Sequence, residues 1–173
     1  VQIVRGQTVT FTNDDLFERE DFIRVFRNYQ FSNRRQITKS MLAWWAFQFD
    51  KQELLDLGCD LQTEHIYARK RAEMEPSATI HPKLELLGNK SLLEQRINIR
   101  ASDYRFADKA ALYKGQQTGK GKTSKGKNGT RIYELLEMAD QLLDFTEDDI
   151  VRRNERILNG FVDYLDRCGL LKG

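Results

Sequence analysis

The chain has 173 residues, a formal net charge of +2, and a composition that is 40% hydrophobic and 31% charged. This size allows one medium domain or two small ones with a buried core. The proportion of hydrophobic to charged residues excludes wholesale disorder. The two cysteines, Cys59 and Cys168, lie too far apart for a four-cysteine zinc site and are expected to be free thiols. No apolar run is long enough for a membrane helix and no secretory start is present, so a soluble, cytoplasmic protein is expected.

The first third of the chain carries the periodicity of amphipathic helices. Residues 1–11 alternate and are rich in β-branched side chains, which favours a short strand or hairpin. Apolar residues spaced three and four positions apart predict one helix over 14–29 and a second over 37–49. A short helical turn is expected at 51–57, before a glycine that suits a helix end. We interpret 12–58 as a helical scaffold.

The middle of the chain combines strand and turn signals. The run 60–67 alternates apolar and polar residues, which predicts a strand. Residues 68–83 contain a basic run and a proline and are predicted to be an exposed loop. A Gly-Asn turn at 88–89 then leads to a second predicted strand over 90–93 and a helix over 94–101.

The remaining sequence is predicted to be helical on both sides of one unusual segment. Residues 102–103, Ser-Asp, resemble an N-cap for a helix that ends near 113. Residues 114–130 contain lysine and glycine but no apolar side chain, so a flexible loop is expected, either an electrostatic arm on DNA or an insertion. Apolar stripes predict helices within 131–168. The predicted class is α+β, mostly helical, with a ββα element spanning 60–113.

Three residues of this middle region have the chemistry of a nuclease. Phosphodiester hydrolysis needs an activated water, neutralisation of developing negative charge, and help for the leaving 3′ oxygen. A histidine such as His65, with an ordinary pKa of about 6.5, is a competent base. A divalent metal supplies positive charge, and Mg²⁺ takes only one or two protein ligands. Glu64 and Asn98 together are therefore enough to hold such an ion.

The same residues carry a resemblance to a known family. The segments LQTEHI (61–66), LGNKSLL (87–93), Asn98 and FADK (106–109) resemble the HNH, or His-Me finger, nuclease motif. In detail they are similar to the C-terminal nuclease domain of GmrSD-type restriction endonucleases, over roughly residues 35–165. The resemblance implies a ββα-metal finger and a metal-dependent endonuclease that nicks or cuts DNA. It also implies that the domain is the effector of a prokaryotic restriction or defence protein.

Carried over position by position, the resemblance implies a role for each residue of the motif. His65 would be the general base, and Glu64 and Asn98 would be the ligands of a Mg²⁺ or Mn²⁺ ion. Asn89 would hold the ββα loop and orient the imidazole. Lys109 would contact a phosphate.

Further basic residues are expected to contact double-stranded DNA. Arg69, Lys70 and Arg71 directly follow the predicted catalytic strand, and Arg153 belongs to an Ile-x-x-Arg helix that the family also has. The family further implies an N-terminal sensor domain in the same polypeptide. Since the chain begins with Val1, we expect it to be the C-terminal part of a longer protein.

Each of these residues also has a purely structural interpretation. A histidine beside a glutamate is usually a surface salt-bridge partner, and Asn98 is equally typical of an exposed helix face. Asn89 also suits an ordinary turn. The alternative function is a non-catalytic nucleic-acid-binding or protein-interaction domain that keeps the ββα shell. Because Glu64 and His65 point to opposite faces of a regular strand, a shared site requires the strand to twist or end there.

Overall fold

The protein is described by a computed structural model that covers residues 12–55, 58–116 and 129–172. Within these ranges, helices surround a short antiparallel strand pair, so the predicted α+β, mostly helical class is confirmed. The strand predicted for 1–11 and residues 117–128 of the lysine-rich segment lie outside the described residues.

The described chain contains four strands, eight α-helices and two short 3-10 helices. The strands are β1 (Phe17–Glu18), β2 (Leu61–His65), β3 (Lys90–Glu94) and β4 (Leu171–Lys172). The α-helices are α1 (Arg19–Asn28), α2 (Gln36–Ala46), α3 (Arg69–Met74), α4 (Ile80–Lys83), α5 (Gln95–Ala101), α6 (Phe106–Tyr113), α7 (Tyr133–Gln141) and α8 (Glu147–Arg167). The 3-10 helices are Asn13–Asp15 and Leu87–Asn89.

Strands β2 and β3 pair antiparallel, and α5 follows β3 directly, which is the element order of a ββα finger. The register pairs Leu61 with Glu94 at one end and His65 with Lys90 at the other. The first four residues of β3 are all buried, since α2 packs against this strand. His65 is thus the last residue of β2, where the strand gives way to a turn.

The long helix α8 packs against the turn that precedes β3. A Cβ atom on Gly88 would lie 2.1 Å from the carbonyl oxygen of Ile150, so only glycine fits at this crossing. The Gly88 N–H donates to Oδ1 of Asn154 at 3.1 Å. Helix α8 is fixed at its start by a capping box between Thr146 and Asp149. The predicted C-terminal helix therefore supports the finger.

The segment 68–83 differs from the exposed loop that its composition predicts. It forms α3 and α4, and the side chains of Ala72 and Ile80 are fully buried. These two apolar residues anchor a segment whose other side chains are mostly polar, which explains why its average composition was misleading. The helical turn predicted at 51–57 is absent over the described residues 51–55.

Two further features of the fold differ from the sequence predictions. The N-cap of α6 is Arg105, so residues 102–103 lie in the connection before this helix and do not cap it. Strands β1 and β4 pair in parallel, with Phe17 opposite Leu171. Two-residue strands are too short to produce a recognisable alternation, so this pair could not be predicted from the sequence.

Candidate active site

A cavity of about 210 Å³ lies at the end of β2 and is lined by every residue to which the motif gave a role except Asn89. Its lining residues are Thr63, Glu64, His65, Ala68, Arg69, Asn98, Ser102, Asp103 and Lys109. The structure therefore brings Glu64, His65 and Asn98 to one cavity. Although Glu64 and His65 are neighbours on a strand, both reach it because β2 ends there.

The imidazole of His65 is held beside a lysine and a carboxylate. Its Nε2 lies 3.1 Å from Nζ of Lys90 and 3.3 Å from Oε1 of Glu85. Burial lowers the pKa of His65 to about 4, and the positive charge of Lys90 acts in the same direction. The ring is therefore uncharged at neutral pH, and it can accept a proton.

Lys90 is the centre of this group of polar side chains, and its own side chain is fully buried. Its ammonium donates to Oδ1 of Asn33 at 2.5 Å and to Oε2 of Glu85 at 2.6 Å. Burial lowers the pKa of Lys90, although the Glu85 carboxylate counteracts this effect. Glu85 also accepts a hydrogen bond from the guanidinium of Arg69. A buried ammonium is thus compensated by one carboxylate, which also faces the histidine.

Glu64 is only 4% exposed and is paired inside the protein. Its Oε1 accepts hydrogen bonds from Nζ of Lys109 at 2.7 Å and from the Tyr113 hydroxyl at 2.9 Å. Burial raises the pKa of the Glu64 carboxyl, while the charge of Lys109 acts in the opposite direction. Lys109 was expected to contact a phosphate. Instead it is buried, and it donates to Glu64 and to the backbone carbonyl of His65.

Asn89 is completely buried and joins the two sides of the loop. Its Oδ1 accepts from the N–H of Tyr67 at 2.7 Å, and its Nδ2 donates to the carbonyls of Tyr67 and Leu84. The Asn89 carbonyl accepts from the N–H of Ile66 at 2.9 Å. These bonds fit the expected loop-holding role. The ring nitrogen of His65, in contrast, contacts Lys90 and Glu85.

Asn98 extends from α5 into the same cavity. Its Nδ2 donates to Oε1 of Gln62 at 3.0 Å, which leaves Oδ1 without a hydrogen-bond partner among the described residues. In the described ranges, no three His, Cys, Asp or Glu side chains come close enough to hold a metal by themselves. An ion at this position would therefore depend on few protein ligands and on water, as Mg²⁺ usually does.

Besides Lys109, four basic residues were expected to contact DNA, and two of them are exposed at the surface. The Arg69 side chain lines the cavity and is 57% exposed, with Glu85 as its ionic partner. Lys70 is also exposed and follows it in α3. Both can reach solvent beside the candidate base.

The other two basic residues, Arg71 and Arg153, are held within the protein. Two nitrogens of Arg71 each donate to the Asp144 carboxylate at 2.7 Å. Arg153 is 5% exposed, lies 2.6 Å from Glu134, and donates to the backbone carbonyls of residues 87, 88 and 90. The expectation that they contact DNA is corrected, because their donors are used inside the fold.

Sequence reasoning missed Glu85 and Lys90, although one signal pointed to Lys90. A lysine that begins a strand leading into the apolar pair Leu92 and Leu93 needs polar partners for its ammonium if the strand is buried. The register that sets Lys90 opposite His65 follows from pairing the two predicted strands. Glu85 gave no comparable signal, since it comes from the segment between α4 and the turn.

Comparison with known proteins gave one informative match. The family model described as GmrSD restriction endonucleases, C-terminal domain, matches residues 16–159. No curated protein and no solved structure matched the chain. Over the described residues, none of the helices has both the length and the hydropathy to cross a membrane. Since the family match spans most of the chain and includes the whole cavity, the protein belongs to the family of GmrSD restriction endonuclease C-terminal domains.

Proposed function

We propose that this domain is a metal-dependent endonuclease that hydrolyses DNA phosphodiester bonds, with His65 as the general base. The family supports a restriction-type nuclease acting on DNA. The observation that carries the proposal is the cavity that His65 shares with Glu64 and Asn98. An uncharged imidazole, a carboxylate and an amide oxygen are the groups that this reaction requires.

In the proposed reaction, His65 removes a proton from a water molecule as its oxygen attacks the phosphorus. The P–O bond to the 3′ oxygen breaks, and the leaving oxygen takes up a proton from solvent. With a pKa of about 4 the ring is unprotonated at neutral pH but is a weak base. A bound phosphate is negatively charged and would raise this pKa towards the useful range.

Glu64 and Asn98 are the proposed ligands of a Mg²⁺ or Mn²⁺ ion. The amide oxygen of Asn98 has no partner among the described residues, and such an oxygen suits a hard cation. Lys109 pairs with Glu64 in the buried site, and its charge opposes the rise in the pKa of Glu64 that burial causes. When bound, the cation supplies the Lewis-acid charge that stabilises the developing negative oxygens.

Arg69 and Lys70 are the proposed contacts to the DNA backbone. Both are exposed and lie on the first turn of α3, immediately after the loop that Asn89 holds. Such contacts would fix the position of the duplex without reading its sequence.

The proposal is tested by plasmid nicking with Mg²⁺ or Mn²⁺, comparing the wild type with His65→Ala. We expect the substitution to reduce the rate by about 10²–10⁴-fold, the usual contribution of a general base. His81→Ala is the matched control, because His81 is exposed on α4 and does not line the cavity. Cleavage unaffected by His65→Ala would refute the role of this residue. Salt-dependent DNA binding without cleavage by the wild type would favour the non-catalytic domain.

A further inference from the structure

Three oxygen-bearing side chains in the cavity, those of Thr63, Ser102 and Asp103, have no role in the mechanism above. Thr63, on β2, lines the cavity, and its buried Oγ1 has no hydrogen-bond partner in the part of the chain that the structure describes. Asp103 also lines the cavity and is exposed. Among the described residues, no hydrogen bond or ion pair involves its carboxylate. A buried hydroxyl without a hydrogen-bond partner destabilises the folded protein. Because this hydroxyl lines the same cavity as the Asp103 carboxylate, the cavity is suited to a polar ligand.

The backbone before Asp103 adopts an unusual conformation. Ser102, the residue after α5, has φ 38° and ψ −129°, and it is the one non-glycine with positive φ in the described ranges. Its N–H donates to the carbonyl of Asn98 at 3.0 Å, so the turn is tied to the residue that carries the candidate ligand. This turn brings Asp103 to the cavity that Asn98 lines.

The two carboxylates in the cavity differ in whether a neighbouring positive charge compensates them. Glu64 already accepts hydrogen bonds from Lys109 and Tyr113, and the ammonium of Lys109 neutralises its charge. Asp103 has no such partner within residues 12–55, 58–116 and 129–172. A divalent cation in the cavity therefore gains little attraction from the paired carboxylate and more from the unpaired one.

We propose that Asp103 and Thr63 complete the divalent-cation site by accepting hydrogen bonds from water molecules bound to the cation. Mg²⁺ keeps several waters, and each of these waters needs acceptors. Asp103 also supplies the negative charge that Glu64, paired with Lys109, lacks. This inference rests on the proposed function, since it assumes a cation near Asn98 and Glu64.

The test is Mn²⁺ binding to the whole chain without DNA, measured by calorimetry and by the electron paramagnetic resonance signal of free Mn²⁺. We expect Asp103→Asn to weaken binding by about tenfold or more, as loss of such an outer partner does. Thr63→Val keeps the shape of the side chain and should weaken binding severalfold. Asp108→Asn is the control, because Asp108 is equally exposed but does not line the cavity.

The melting temperature separates a loss of folding from a loss of Mn²⁺ binding. Because the Asp103 carboxylate forms no hydrogen bond or ion pair with another described residue, the melting temperature of Asp103→Asn should equal that of the wild type. Wild-type affinity in Asp103→Asn, or no Mn²⁺ binding by the wild type, would overturn the inference. Asp103-dependent Mn²⁺ binding without any DNA cleavage would instead leave the inference intact and refute the nuclease function.

Discussion

At the scale of single residues, the nuclease proposal depends on how the protein holds one imidazole. His65 lies within 3.3 Å of both Lys90 and Glu85, and neither partner was assigned a role from the motif that identified the histidine. Glu85 compensates the buried ammonium of Lys90 and faces Nε2 of the ring, so one carboxylate stabilises the fold and positions the candidate base. The stability of the fold and the position of the imidazole should therefore both change when the negative charge of Glu85 is removed.

We expect Glu85→Gln to lower the free energy of unfolding by about 3 kcal/mol, because it leaves the buried Lys90 without its carboxylate. The nicking rate at saturating metal should also fall by at least about tenfold, since the ring loses a positioning partner. Urea denaturation and plasmid nicking measure the two effects. Glu73→Gln, at an exposed residue of α3, is the control and should change neither quantity. Equal stability of Glu85→Gln and wild type would contradict the prediction.

At the scale of elements, the turn before β3 depends on its contact with α8. Gly88 touches the backbone of this helix, and Arg153 binds three carbonyls of the turn from the same side. Asn89, which holds the loop after β2, directly follows this glycine. A displaced turn would therefore also displace the cavity wall.

Gly88→Ala should lower the free energy of unfolding by about 2 kcal/mol or more, because a Cβ atom there meets the backbone of α8 at 2.1 Å. Nicking should also decrease, as the loop held by Asn89 shifts. Chemical denaturation gives the first quantity. Gly58→Ala is the matched control, since a Cβ at Gly58 would meet no atom within 4 Å. If both alanine variants unfold at the same denaturant concentration, the close contact does not constrain the turn.

The individual elements also show which parts of the fold could be predicted from the sequence. The alternation around His65 and the Gly-Asn turn are local signals, and both led to the correct strands. The segment 68–83 was assigned incorrectly because two buried apolar residues hold it, and their burial depends on distant elements. The family motif gave the same role to exposed and buried basic residues. Only the three-dimensional structure separates Lys70 at the surface from Arg153 in the interior.

At the scale of the whole molecule, Arg71 connects α3 to the segment between α7 and α8. Its guanidinium pairs with Asp144 and with Glu75, and it lies 4.6 Å from the centre of the Tyr67 ring. Burial alone would raise the pKa of Asp144, but the hydrogen bonds from Arg71 lower it below its ordinary value. A carboxyl group whose pKa is lowered by folding stabilises the protein above its unfolded pKa. That stability is lost as the pH falls through the folded value.

We expect Arg71→Met to lower the free energy of unfolding by about 1–2 kcal/mol at neutral pH, through loss of charged hydrogen bonds. The difference from the wild type should shrink as the pH falls below about 4, the ordinary pKa of an aspartate, and on through the lowered pKa of Asp144. Urea denaturation across this range measures it. Arg24→Met removes an exposed pair with Asp21 and should have little effect at any pH. A difference that is constant with pH would exclude the ion pair as its cause.

The parallel pair of β1 and β4 has a consequence for protein engineering. Phe17 donates its N–H to the carbonyl of Leu170 at 2.9 Å, and Lys172 forms an ion pair with Glu18. Adjacent strands lie about 4.8 Å apart, so β4 is held directly beside the strand that leads into α1. A fusion or truncation that displaces β4 would therefore also remove the hydrogen-bond acceptor of the Phe17 N–H.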